Sequence, residues 1–166
     1  EMHDVANCFG KEVLRDVPYE EFFAAIPQLR KKVSERAILR AFHFYEENER
    51  VDAAAQALQE GRVQDFLAAV DASGVSSLNC LQNCFVPGST EQPVSLAIHI
   101  SKRIIRDGAV RVHGGGFAGT VLAYLADAEV ENYVAQMSKV FGKENVFTAN
   151  VRLPGATKLD LHELIG

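Results

Sequence analysis

Several things are missing from this sequence, and each absence excludes a class. A membrane-spanning helix needs about 18 consecutive apolar residues; the longest apolar run, Val121 to Ala126, is the size of a strand. Basic charge is in deficit, with 17 Lys+Arg against 22 Asp+Glu and a formal net charge of −5. A protein that grips a phosphate backbone needs a basic stripe, so no nucleic-acid partner and no membrane partner is expected. The first residues show no basic stretch followed by an apolar one, the pattern of a secretory signal. Cysteine is scarce: Cys8, Cys80 and Cys84 cannot all pair, which suits a reducing, cytoplasmic setting. Cys80 and Cys84, beside Asn79 and Asn83, would share one face of a helix, but no second Cys/His pair completes a metal quartet. They read as free thiols in or near a core. His3, His43, His99, His113 and His162 show no H-x-x-H or H-E-x-x-H spacing, so no metal site is expected. Repeats, low-complexity tracts and long linkers are also lacking.

What remains is a chain of 166 residues, 48% of them hydrophobic, a length for one domain that buries roughly 70% of its unfolded surface. It opens on Glu1-Met2-His3 rather than on a start methionine, and a piece of something longer is expected.

The first half reads as helical. Met2 to Phe9 is a short helix stopped by Gly10, and Leu14 to Pro18 is an extended stretch. Tyr19 opens a helix to about Leu29, with Pro27 near its end. Ser34 and Glu35 begin a long helix to about Glu60. Its apolar stripe is Ile38, Ala41, Phe42, Tyr45, Val51, Ala55 and Leu58, with Glu46, Glu47, Glu49 and Arg50 on a solvated face. A further helix runs from Val63 to about Leu78 through Phe66, Leu67 and Val70. Pro87-Gly88-Ser89-Thr90 is the strongest turn cluster. Val94 to about Ile105 is helical, with its stripe at Leu96, Ala97, Ile100, Ile104 and Ile105.

The period then changes. Ala109 to His113 alternates like a half-buried strand, Thr120 to Leu125 is a second, and Val146 to Val151 a third, broken by Pro154-Gly155. Between the last two, Asp127 caps a helix carrying Val130, Tyr133, Val134, Met137 and Val140, stopped by Gly142. The expected class is α+β, helical first and sheet-forming later.

Chemistry concentrates in the loop His113, Gly114, Gly115, Gly116, Phe117, Ala118, Gly119, Thr120, half of it glycine. Glycine permits positive φ and lets a bound group reach backbone N–H donors. Gly114, Gly116 and Gly119 satisfy G-x-G-x-x-G, but a strand follows where a dinucleotide fold needs a helix, and Val134 stands where an acidic residue about 20 positions on is required. A phosphate loop of the G-x-x-x-x-G-K type fails as well, because Thr120 follows Gly119 with no lysine. A hairpin turn with a bulge, or glycines packed beneath a helix, stays open as the plain alternative.

These residues also carry a family likeness. Arg111 to Thr120 resembles the third, glycine-rich motif of the GHMP small-molecule kinases, and its surroundings resemble a galactokinase. Val13-Leu14-Arg15-Asp16-Val17 is similar to the "LRDV" segment of that family, Arg40 to Val51 to its "RA-x-H-x-x-x-E-N-x-R-V" helix, and Asn150 to Ala156 to its closing strand. The resemblance implies that residues 1–166 are a GHMP kinase C-terminal domain, a ferredoxin-like α/β plait with additional N-terminal helices. The N-terminal half, with the phosphate loop and the catalytic aspartate and arginine, would be absent. It further implies ATP and Mg²⁺ bound mainly by that half, galactose as the sugar, the chain's own N-terminal domain as its partner, and no catalytic residue in this fragment, which alone would be inactive. His113 through Thr120 would border the substrate and phosphate site from the C-terminal side. Ala118 and Thr120 depart from the family's glycine and cysteine or serine, and Val86 to Pro93 departs from its acidic helix entry; these bear on the sugar rather than on the fold. Arg111 reads as a solvated strand residue or a phosphate partner, His113 as a strand-end histidine or a substrate neighbour, and His43 as buried or held by a neighbour. Two other classes fit the same residues: a non-catalytic galactose and ATP sensor on this scaffold, and a stand-alone small-molecule-binding α/β plait module.

Overall fold

The computed structural model describes residues 1–117 and 119–150. Helix α1 spans Met2–Asn7, a 3-10 turn Leu14–Asp16, α2 Tyr19–Ala24 and α3 Ile26–Leu29. The long α4 covers Glu35–Gln59 and α5 Val63–Ser76, which passes into a π-helical turn at Ser77–Leu81. After a turn at Pro87-Gly88 come α6, Pro93–Ile104, strands β1, Gly108–His113, and β2, Thr120–Leu125, and helix α7, Asp127–Phe141. The class is mixed helix and sheet, α+β.

Local chemistry explains most of these boundaries. The Ser34 hydroxyl accepts the Ala37 amide at 3.1 Å, starting α4 as expected. Gly61 and Gly142 follow α4 and α7 with φ of 69° and 91°, backbone that side chains disfavour. Asp127 is the first residue of α7 rather than its cap, which is Ala126; with Glu129 it places negative charge where the helix dipole favours it. Leu14–Asp16 is a 3-10 turn rather than extended chain. The Tyr45 hydroxyl holds it from α4 by donating to the Val17 carbonyl at 2.8 Å. The helix expected from Tyr19 to Leu29 is two helices broken at Ala25, because Pro27 has no amide to continue a ladder and is tolerated only in a first turn.

Two apolar clusters build the interior. One joins α1, α2, α3 and the first part of α4 through Val5, Leu14, Phe22, Leu29, Ile38 and Ala41. Phe22, fully buried, meets Phe42 edge-on at 5.1 Å between ring centroids and Tyr45 at 5.2 Å. The second joins Cys84, Val94 and Ile98 to Val110 and Val112 of β1. The apolar stripe expected for α4 holds only in its first half. Val51 and Leu58 are more than half exposed, and in the far half of the helix Ala57 is the buried residue. In α6 the buried set is Val94, Ala97, Ile98 and Ser101, and Leu96 faces away.

β1 and β2 pair antiparallel, with Arg111 opposite Leu122 and His113 opposite Thr120. Side chains alternate across this ribbon. Val110, Val112, Val121 and Ala123 face α6, while Arg111, His113, Leu122 and Tyr124 face α4 and α5. Helix α7 lies along α6, joined where the Ser101 and Tyr133 hydroxyls meet at 2.7 Å. The sheet has two strands among the described residues, against the three expected from the sequence pattern. Val146 to Asn150 have no strand pairing, and Phe147 is 77% exposed: strand preference needs a partner edge to act on. The remainder of that expected strand, from Val151, lies outside the described residues, as does the closing stretch to Ala156. Among the described residues no helix is long and apolar enough to cross a membrane.

Truncating Phe22 to alanine removes the ring on which Phe42 and Tyr45 pack. A loss of about 3–5 kcal/mol is expected, measurable by urea unfolding followed by circular dichroism.

Candidate functional site

The glycine loop closes the β1–β2 hairpin, so the hairpin reading of its glycines is part of the answer. Gly114 has φ 67° and Gly116 φ 79°, both in the left-handed region. A Cβ on Gly116 would stand 2.1 Å from the Asn83 carbonyl oxygen, and one on Gly119 would stand 2.8 Å from the Gly116 oxygen. Three of the four glycines are therefore required by the hairpin itself. Gly115 is different: its φ is ordinary and a Cβ there would meet nothing within 4 Å. Nothing else in the described chain demands glycine at that position.

The loop is seated on Asn83, a buried residue just past the π-helical turn. The Phe117 amide donates to the Asn83 carbonyl at 2.6 Å, and the Asn83 side-chain amide donates to the Gly115 carbonyl at 3.4 Å. One N–H that the loop was expected to offer an anion is thereby taken up internally. Phe117 is held at φ 58°, an uncommon state for a bulky side chain, and its ring is 41% exposed. Gly114, Gly115, Gly119 and Thr120 are exposed. Ala118 lies outside the described residues.

On the other side of β1 a groove of about 310 Å³ opens between the hairpin, α4 and α5, lined in part by Glu47, Arg50, Ser73, Arg111, His113 and Tyr124. Arg111 is part-buried rather than fully solvated. Its Nη1 donates to Glu47 Oε1 at 3.3 Å and its Nε to the Val112 carbonyl at 3.0 Å. The Ser73 hydroxyl also donates to Glu47 Oε1, and Arg50 Nε donates to Oε2 at 2.9 Å. The acidic face expected to be solvated is thus partly interior, because α5 and β1 close over Glu47. Burial pushes the Glu47 carboxyl up, but the Ser73 and Arg50 hydrogen bonds and the two guanidinium charges outweigh it and hold the group below the usual range. Both Glu47 oxygens are engaged in charge-assisted hydrogen bonds that favour the ionised form. His43, one turn earlier, is buried as expected, its Nδ1 3.0 Å from the Ser76 hydroxyl. His113, by contrast, is exposed at the end of β1 and lines the groove.

The other sequence candidates separate. Cys80 sits half-buried in the π-helical turn and Cys84 is fully buried beyond it, with Gln82 in left-handed backbone between them, so they do not share a helix face. Both are free, and burial raises both thiols. Among the described residues no three His, Cys, Asp or Glu side chains gather where they could hold a metal ion. Sequence reading passed over Asn83 and the Glu47–Ser73–Arg111 joint. The adjacent small pair Ser73-Gly74 inside a helix was the available sign of a close approach. No known family model matches the chain.

The buried histidine sets a pH dependence. Burial lowers the His43 folded value below 6.5, aided by the Arg50 and Arg111 charges and opposed by Glu47 and Glu46. Below the unfolded value the unfolded chain takes up a proton that the folded chain resists, so stability falls as pH drops through about 6.5. Thermal melts from pH 7.5 to 5.5 should slope more steeply for the wild type than for His43→Gln; equal slopes would remove the effect from this residue. Glu47→Gln should cost about 1–3 kcal/mol at pH 7 by the same melts.

Proposed function

We propose that this chain is the C-terminal part of an ATP-dependent sugar kinase of galactokinase type, and that the 114–119 hairpin braces the substrate site from the C-terminal side. The observation that carries this reading is that three of the stretches bearing the family likeness, all within the described residues, are bonded to one another. Arg15 of the Leu14–Val17 segment donates to Asn48 at 3.3 Å and lies 5.7 Å over the Phe44 ring, both within the matched helix. Glu47 of that helix takes Arg111 at the start of the glycine motif. The helix–strand–strand–helix order α6–β1–β2–α7 also agrees with the middle of a β-α-β-β-α-β plait.

Phosphoryl transfer depends on positioning and on stabilising charge spread over phosphate oxygens. In this reading the chain supplies no base and no metal ligand. It supplies a rigid turn whose outer glycine, Gly115, lets a ligand or the neighbouring half approach the backbone. ATP and Mg²⁺ are held by the N-terminal half, and the hairpin fixes the wall against which the sugar and phosphates are oriented. The exposed Phe117 ring is a surface for that half to cover.

Gly115 is the probe that separates fold from function, because it tolerates a side chain where Gly116 does not. In the full-length protein, Gly115→Val should leave the melting temperature unchanged. It should lower kcat/KM for galactose-dependent ADP release by about 10²-fold, the scale of a 1 Å misplacement. The 166-residue chain alone should release no ADP. Unchanged kinetics in the variant, or a full-length protein with no sugar-dependent turnover, would overturn the proposal.

A further inference from the structure

We infer that Asn83 is the positioning residue of the glycine hairpin, which it holds in the one conformation that serves the site; the inference rests on the kinase reading above. Three independent contacts converge on this residue. Its carbonyl receives the Phe117 amide at 2.6 Å, its side-chain amide reaches the Gly115 carbonyl at 3.4 Å, and Gly116 lies so close that any Cβ would collide with its backbone.

The backbone on both sides of this contact is strained. Gln82 and Phe117 both have φ 58°, and no other described non-glycine residue has positive φ. Such conformations persist only where surrounding contacts over-determine them, and they gather at functional sites. Gln82 is fixed by its own amide, which donates to the Ser77 carbonyl at 2.8 Å and closes the π-helical turn. On the far side, fully buried Cys84 anchors the segment, and its carbonyl accepts the Ser95 hydroxyl of α6 at 3.2 Å. Asn83 is thus held from both directions, and Phe117 is held by Asn83. An asparagine suits this position because its side chain donates to one carbonyl while the main chain offers another to the loop. Aspartate, with the same shape, would set a carboxylate oxygen against the Gly115 carbonyl.

The test uses the full-length protein and reads kinetics and amide exchange together. In the wild type the Phe117 amide should be protected from hydrogen exchange. Asn83→Asp should remove that protection and lower kcat about tenfold, as for one lost hydrogen bond replaced by a repulsive contact. KM for sugar and ATP should stay within about twofold, since a misaligned wall affects the reacting geometry more than ground-state binding. Asn83→Ala, which removes the donor without adding charge, should show the same split with a smaller loss, and serves if the aspartate variant does not fold. An unprotected Phe117 amide in the wild type, or loss of protection with kcat unchanged, overturns the inference while leaving the kinase reading standing. A wild-type protein without sugar-dependent turnover overturns the kinase reading itself, and with it any catalytic role for Asn83.

Discussion

How deeply helix α5 lies on strand β1 is decided at Gly74, where a Cβ would stand 2.9 Å from the Val110 carbonyl oxygen and 3.1 Å from the Arg111 Cβ. Only glycine allows that approach without moving the strand. Because the helix sits so low, the residue before Gly74 brings its hydroxyl to Glu47 on α4, and Arg111 on β1 reaches the same carboxylate from the sheet. One turn along, Ser76 meets His43. As α4 rises by four residues from His43 to Glu47, α5 falls by three from Ser76 to Ser73, the stepping of two helices packed side by side in opposite directions. Small serines keep that interface close, and the hairpin inherits its position from it.

Placing a carboxylate in this seam costs solvation, which is recovered only if its oxygens are engaged. Glu47 meets that condition with donors from three elements, so its charge welds the seam. The same reasoning extends to the other polar residues of the matched helix. Arg40 donates to the Leu81 carbonyl at 3.0 Å, Asn48 to the Phe44 carbonyl at 2.6 Å, and Arg50 to Glu47. The polar residues of this helix thus divide between bonds inside α4, at Asn48 and Arg50, and a bond to a neighbouring element, at Arg40.

That explains which parts of the structure were legible in the sequence. Ser34 before Glu35, the glycines after α4 and α7, and the alternation of Ala109 to His113 are local signals, and each matches an observed boundary or strand. The solvated reading of Glu47 and Arg50 failed because polarity at helical spacing marks the face opposite an apolar stripe only when nothing else packs there. Arg111 lies 64 residues from Glu47, and no local period reports such a pairing. Cys80 and Cys84 misled for a related reason: their spacing presumed a helix that the π-helical turn and left-handed Gln82 interrupt. Within the glycine loop, composition could not rank the members.

The ranking comes from asking what each glycine avoids. Gly114 avoids a left-handed penalty, Gly116 a collision with Asn83, and Gly119 a collision with Gly116; these are internal needs of a hairpin folded back on the 83–84 segment. Positive φ at Phe117 costs roughly 1–3 kcal/mol and persists where surrounding contacts hold it, while Gln82 takes the left-handed state at the end of the π-helical turn. Both lie next to the same buried asparagine. Gly115 has no such need among the described residues and stands on that loop facing open space.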